Sequence, residues 1–126
     1  MIKSDKPTLK PVKRMAVRVP IRMIAKIEDD ILKSGYNKKQ RLTWFEEILK
    51  ELFEKADYHN LIAEEFIEAG TTKIINLGIT AATFKTVSAT VKEVEEKEKT
   101  KTDRSSVIRT AILQRLLKAS GKQIEG

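Results

Sequence analysis

Residue types that mark disulfide-bonded, metal-binding or membrane proteins are scarce in this chain. It contains no cysteine and a single histidine, His59, which excludes a disulfide framework and a thiolate zinc site. No apolar stretch approaches the roughly 20 residues that cross a bilayer, and the first residues lack the apolar run of a signal peptide. The sequence therefore predicts a cytoplasmic protein that needs no cofactor and has no membrane partner.

The residue patterns of catalysis are also missing. The chain has no paired carboxylates at a defined spacing, no phosphate-binding glycine loop and no nucleophile beside a base. His59 has no second ligand or nucleophile at a useful spacing, so we expect it on the surface. The sequence predicts a protein that is not an enzyme and takes no small-molecule substrate.

Glycine and proline are few, five and three residues, whereas charged residues make up 34% of the chain. This balance favours helices over loop-rich β architecture, and a hydrophobic fraction of 40% is enough for a folded core. A chain of 126 residues fits one ordinary domain or two small units that share a core. The net charge of +7 favours binding to a polyanion, although it could equally serve solubility alone.

The hydrophobic period of the first half changes along the chain. Residues 1–12 combine basic residues and prolines with little to bury, which predicts a flexible basic arm. Apolar side chains then alternate over Met15–Val19 until Pro20, which is typical of a short strand. A helical period follows over about Ile21–Lys33, and Asn37 is placed to cap a second helix. The predicted order is strand, helix, helix.

A connector precedes a second copy of this pattern. Asp57 is placed to cap a short connector helix, Ile75–Ile79 alternates as a strand, and Thr80 is placed to cap the next helix. Trp44, beside the apolar face of the second helix, is expected in the core or at an interface. The predicted organisation has five parts: a basic arm at 1–12, a first repeat at 13–54, a connector at 55–72, a second repeat at 73–120 and a tail at 121–126.

The two copies superimpose at constant offsets. An offset of 60 residues brings Val17, Val19, Ile24, Ile27 and Ile31 onto Leu77, Ile79, Phe84, Val87 and Val91. The second helices match at an offset of 63, so the second copy has three extra residues between its helices. A lone short strand must pair to satisfy its edge, which predicts a mainly α protein with a two-stranded antiparallel ribbon. Its inward side chains would be Val17, Val19, Leu77 and Ile79.

RMAVRVP followed by two helices, and INLGIT followed by TDRSSVIRTAI, resemble the ribbon-helix-helix DNA-binding proteins of the Arc and MetJ type. The tandem arrangement is similar to that of the TraY proteins of conjugative plasmids. The resemblance covers about residues 13–53 and 73–118. It implies a β-α-α, connector helix, β-α-α fold that binds double-stranded DNA sequence-specifically, with the ribbon in the major groove.

In that family the outward ribbon residues read base edges. The resemblance carries this role to Arg14, Ala16, Arg18, Ile74, Asn76 and Gly78. Arg18 would donate two hydrogen bonds to guanine, Asn76 would read adenine and Ile74 would touch a thymine methyl group. Gly78 has no side chain with which to read a base, so the ribbon is expected to be asymmetric.

The family also contacts DNA phosphates around the ribbon and at the start of the second helix, where free backbone amides favour an anion. The resemblance carries this role to Lys13, Asn37, Lys38, Lys39, Arg41, Lys73, Arg104 and Ser105. Asp103 would repel a phosphate unless its carboxylate caps the last helix.

These expectations leave alternatives open. The leading function is a transcriptional regulator, most simply a repressor. A relaxosome accessory protein that marks a transfer origin would use the same chemistry, and an antitoxin-like interaction module belongs to another class. Arg14 and Arg18 could also be the solvated face of an edge strand. The strands could pair within one chain or between two chains of a homodimer.

Overall fold

The computed structural model describes residues 12–65 and 70–125, with side chains described up to residue 119. The predicted basic arm thus lies outside the described residues except for Val12, which opens the first strand. The elements are β1 (Val12–Pro20), α1 (Ile21–Lys33), α2 (Arg41–Phe53), α3 (Tyr58–Ala63), β2 (Thr72–Thr80), α4 (Ala81–Glu98) and α5 (Arg104–Glu125). The protein is mainly helical with a two-stranded antiparallel sheet, which confirms the predicted class at that level.

β1 and β2 pair over their full length as an antiparallel ribbon. Ala16 lies opposite Asn76 at the centre, and Pro20 lies opposite Thr72 at one end. Side chains alternate between the two faces of a strand. The inward residues are those that the sequence predicted: Val17, Val19, Leu77 and Ile79, all buried.

The first helix has its predicted bounds, but the predicted cap of the second helix is wrong. Asn37 instead caps a single turn of 3-10 helix, Lys38–Gln40, and α2 begins only at Arg41. The Asn37 Oδ1 accepts from the Lys39 N–H at 2.9 Å, and the Gln40 Oε1 accepts from the Asn37 N–H at 2.9 Å. These reciprocal bonds satisfy N–H groups within a tight turn, so α-helical geometry starts one turn later.

The second half follows its prediction more closely at the start than at the end. Thr80 caps α4 as predicted, because its Oγ1 accepts from the Thr83 N–H at 3.2 Å. With 18 residues against 13 for α1, α4 takes up the insertion that the offsets revealed. It ends at Lys99, which has a φ of 56°. α5 continues to Glu125 and therefore runs through the stretch predicted as a tail.

In the described part of the connector the α-helix is α3, and residues 66–69 lie outside the described residues. Asp57 takes the N-cap position but makes no side-chain capping bond. The His59 side chain is 17% exposed, so it reaches the surface but is more covered than the sequence predicted. Its Nε2 lies 3.0 Å from Glu93 Oε1, which also accepts from the Tyr58 hydroxyl at 3.2 Å. These bonds fix the connector to α4.

The core interleaves the two halves of the chain. α2 packs on β2, whereas α5 packs on β1 and on α2, so each strand is covered by a helix from the other half. Trp44 is fully buried, as predicted, with its ring edge-on to Phe45 at 5.0 Å between centroids. Complete burial stabilises each large apolar side chain by about 1.5–3 kcal/mol. Because buried side chains from both halves pack against each other, the described residues form one core.

Candidate functional site

The outward face of the ribbon brings together all six residues that the resemblance assigns to base reading. The register places them in three cross-strand pairs: Arg14 with Gly78, Ala16 with Asn76, and Arg18 with Ile74. All are exposed except Gly78, which is half-buried. Neither strand contains an acidic residue, so this face carries positive charge from Arg14 and Arg18 alone.

Arg18 is held in place by two contacts that the sequence did not reveal. Its Nη1 donates to Thr72 Oγ1 at 3.0 Å, across the ribbon and on the same face. Its backbone oxygen accepts from the Arg109 Nη1 at 3.2 Å. The guanidinium is therefore oriented before any ligand binds, which lowers the entropic cost of bidentate hydrogen bonding. No described side chain hydrogen-bonds to Arg14. Of the two arginines, only Arg18 is therefore held by a hydrogen bond to another side chain.

The second strand presents a different surface from the first. Ile74 is 49% exposed, and the Asn76 side chain is exposed at the centre of the ribbon. A Cβ atom on Gly78 would lie 3.0 Å from Val12 Cγ1 and 3.8 Å from Leu42 Cδ1. A larger residue at Gly78 would therefore displace Val12, and the backbone stays bare at this point of the face.

The start of α2 lies beside the β2 edge of the ribbon, as the approach of Leu42 to Gly78 shows. Lys38 and Lys39, in the 3-10 turn that leads into it, are exposed. Arg41 differs from both lysines, because its guanidinium pairs with Glu28 and also lies over the Phe45 ring at 5.9 Å. Of the three cations predicted at this helix start, Lys38 and Lys39 are thus the better placed to bind a phosphate.

The start of α5 lies beside the β1 edge. A cleft of about 560 Å³ separates them, and Ala16, Phe84, Arg104 and Ser105 contribute to its wall. The Arg104 guanidinium lies 4.8 Å from the Phe84 ring centroid. The Asp103 carboxylate accepts from the Ser106 N–H at 2.8 Å, so it acts as a helix cap. Arg104 and Ser105 accordingly lie next to the ribbon.

Lys13 and Lys73 occupy opposite ends of the ribbon. Their backbone positions belong to the register that faces the helices, opposite Ile79 and Val19 respectively. Both side chains are nevertheless exposed, and the Lys13 ammonium lies 5.9 Å from the Phe84 ring centroid. They add positive charge at the corners of the ribbon and lie outside its outward face.

Asn37, like Arg41, is a predicted contact residue whose side chain already bonds within the protein. Its Oδ1 is engaged with the Lys39 N–H, which leaves that amide bonded within the protein. Any phosphate at this turn would therefore be bound by the lysine side chains and the remaining backbone donors.

The described residues also bear on two other kinds of site, a metal centre and a membrane span. They contain no cluster of three or more histidine, cysteine or acidic side chains that could hold a metal ion. None of their helices combines the length and the apolar character that a membrane span requires. Comparisons with protein-family models, curated proteins and solved structures find no match to this chain.

Proposed function

We propose that this protein binds double-stranded DNA sequence-specifically by inserting its β-ribbon into the major groove, and that it acts as a transcriptional repressor. The observation that carries the proposal is the outward ribbon face. It is exposed, basic and free of carboxylates, and the starts of α2 and α5 lie against its two edges. A major groove about 12 Å wide admits a two-stranded ribbon.

A tandem ribbon-helix-helix arrangement underlies this proposal, and the register supports it. The residues at the centre of the ribbon, Ala16 and Asn76, are those related by the sequence offset of 60. A pseudo-two-fold axis through this pair would exchange β1 with β2. α2 and α5 begin at Arg41 and Arg104, which differ by the second offset of 63. Both offsets were found in the sequence, so their agreement with the register and the helix starts supports a duplicated unit.

The proposed DNA contacts are of two kinds: some read the bases, and others position the protein on the DNA. Arg18, oriented by Thr72, would donate two hydrogen bonds to the O6 and N7 acceptors of guanine, and Asn76 would pair with adenine. Ile74 beside Arg18 would contact a thymine methyl group. Lys38 and Lys39 on one side, with Arg104 and Ser105 on the other, would bind phosphates and fix the register of the ribbon in the groove.

Selection of bound duplexes from a random pool, followed by sequencing and salt titration, tests the proposal. The parent protein should enrich one motif. Arg18→Ala should relax the motif at one base pair, at a cost of about 1–3 kcal/mol for that base. Lys38→Ala with Lys39→Ala should weaken binding to all duplexes and make the dependence of log K on log salt shallower by about 0.9 for each lost phosphate contact.

The matched control removes two lysines away from the ribbon. Lys50 and Lys55 are exposed in the last turn of α2 and just beyond it. Lys50→Ala with Lys55→Ala makes the same change in net charge and should leave the motif and the salt slope close to those of the parent. If this pair weakens binding as much as the pair at Lys38 and Lys39, attraction depends on net charge and the proposed contacts are wrong. If the parent prefers no duplex, DNA reading by the ribbon is wrong.

A further inference from the structure

We propose that each half of the protein pairs only with the other half and not with a second copy of itself. The first half runs from β1 to α2, and the second half runs from β2 to α5. The inference rests on the duplicated arrangement proposed above and does not depend on DNA binding. It follows from buried and half-buried polar residues that find their partners only when a first half packs against a second half, which we call the mixed pairing.

The first set of pairs surrounds Arg115 of α5. Its Nε lies 3.0 Å from Asp30 Oδ2, and its Nη1 lies 2.7 Å from Glu47 Oε2 and 3.0 Å from Glu51 Oε2. The Arg115 and Asp30 side chains are only 12% and 11% exposed. Trp44 Nε1 also donates to Asp30 at 2.9 Å. All three carboxylates belong to the first half, whereas the arginine belongs to the second.

The equivalent positions carry no charge. By the offsets of 60 and 63, Asp30, Glu47 and Glu51 correspond to Thr90, Thr110 and Gln114, and Arg115 corresponds to Leu52. The Thr90 and Thr110 hydroxyls donate to backbone oxygens of their own helices at 2.8 and 2.7 Å. Two second halves would therefore bury Arg115 without a carboxylate. Two first halves would set three carboxylates against Leu52. Burying an uncompensated charge is strongly unfavourable.

A second set of pairs lies at the end of the ribbon. Glu46 of α2 accepts from the Thr80 N–H at 2.8 Å and from the Thr83 hydroxyl at 2.6 Å. The equivalents of Thr80 and Thr83 in the first half are Pro20 and Met23. Proline has no N–H and methionine has no hydroxyl. In a pair of first halves, Glu46 would consequently lose both donors.

The residue equivalent to Glu46 is Arg109, and it makes the complementary contact. It donates to the Arg18 oxygen of β1 at 3.2 Å, and Glu65 of the connector neutralises it through bonds of 2.9 and 3.2 Å. In a pair of second halves, Arg109 would meet the Thr80 N–H, a donor against a donor. Both sets of pairs therefore favour the same partner, and the ribbon combines one β1 with one β2.

Cysteine trapping in the full-length chain tests this inference, because the chain has no cysteine of its own. A pair of first halves would place residue 16 opposite itself across the two-fold axis. Ala16→Cys should then form a disulfide-linked dimer, whereas in the mixed pairing it faces Asn76 and stays monomeric. Ala16→Cys with Asn76→Cys should close a disulfide within one chain, since paired strand residues have Cα atoms about 4.5–5.5 Å apart.

Lys38→Cys, an exposed position away from the axis, measures random collision between chains. We expect Ala16→Cys to dimerise no more than Lys38→Cys under mild oxidation, on non-reducing gels and by light scattering. An Ala16→Cys dimer well above that level would overturn the inference. Since no DNA is present, the result is independent of whether the proposed DNA binding is correct.

A second variant tests the residues that set the preference. Asp30→Thr, Glu47→Thr, Glu51→Gln and Arg115→Leu, added to Ala16→Cys, give both halves the same chemistry at these four positions. After refolding at millimolar concentration, the dimer linked through residue 16 should increase on the order of tenfold or more, because the uncompensated charge around Arg115 no longer opposes it and only the contacts of Glu46 and Arg109 still do. If this variant folds, by circular dichroism, without more dimer, the polar pairs around Arg115 do not select the partner.

Discussion

Arg109 is a buried cation whose partners come from two other parts of the chain. Its side chain is 10% exposed and that of Glu65 is 8% exposed. Arg109→Met leaves Glu65 buried without its cation, so we expect a loss of about 3–5 kcal/mol in the free energy of unfolding. Urea unfolding followed by circular dichroism measures it. Adding Glu65→Gln should recover part of the loss, since it removes the uncompensated charge.

Arg104→Met is the control for this change, because Arg104 is exposed one turn earlier on the same helix. It should alter stability by no more than about 0.5 kcal/mol. A similar small effect for Arg109→Met would mean that the buried pair contributes no net stability. The Arg18 carbonyl would also lose its donor in Arg109→Met, so this variant should loosen β1 around Arg18.

Lys99 ends α4 in a conformation that suits glycine. Its φ is 56°, a left-handed value that is costly for residues with a Cβ. We expect Lys99→Gly to be more stable than Lys99→Ala by about 1 kcal/mol, because both lose the lysine charge but only glycine relieves the strain. Thermal and urea unfolding of the two variants give the comparison. Equal stability would show that α4 ends differently in solution.

Two side chains of the connector helix α3, Tyr58 and His59, bond to one carboxylate of α4, Glu93. The hydrogen bond with His59 holds the pKa of Glu93 below its usual value, and the bond from Tyr58 acts in the same direction. A carboxyl group with a lowered folded pKa stabilises the fold above its unfolded pKa, about 4.3, and this stabilisation is lost as the pH falls through the folded value.

We therefore expect backbone amides of α3 to exchange faster with solvent as the pH falls from the unfolded pKa towards the lowered folded pKa of Glu93, after correction for intrinsic exchange rates. Glu93→Gln should raise exchange in α3 at neutral pH and flatten its pH dependence, while amides of β1 and β2 keep their protection. The matched control is Glu96→Gln, an exposed residue of the same helix. If Glu93→Gln leaves amide exchange in α3 unchanged, the connector is held by apolar contacts such as those of Ile62.

Hydrophobic period predicted the elements well because it reports which face of a segment is buried. The strands, α1 and the Thr80 cap follow directly from that pattern and from local capping chemistry. The prediction that Asn37 caps α2 failed because Asn37 and Gln40 form a competing local motif, which closes a tighter turn. Thr72, Arg109 and Glu65 could not be found beside the ribbon, since each contacts a residue more than 40 positions away. One signal in the sequence could have revealed these contacts. Positions 46 and 109 are related by the offset of 63 and lie inside helices, yet one is Glu46 and the other is Arg109.

Interleaving of the halves has a consequence for the whole molecule. A strand from each half is covered by a helix from the other, so neither half retains its core when the other unfolds. Unfolding should then be a single cooperative transition. The chain has one tryptophan, Trp44, which lies in the first half and is fully buried. Its fluorescence reports on the first half, whereas circular dichroism reports on helices of both.

Ile112→Val removes one buried methyl group from α5, in the second half, and should cost about 0.5–1.5 kcal/mol. Because the core is shared, the urea midpoint of Trp44 fluorescence should fall by as much as the midpoint of circular dichroism. Leu32→Ala, at a site 65% exposed on α1, should move neither midpoint appreciably. A Trp44 transition that stays at its parent midpoint while the helical signal shifts would mean that the halves unfold separately, and the effect of one half on the other would then be confined to their polar pairs.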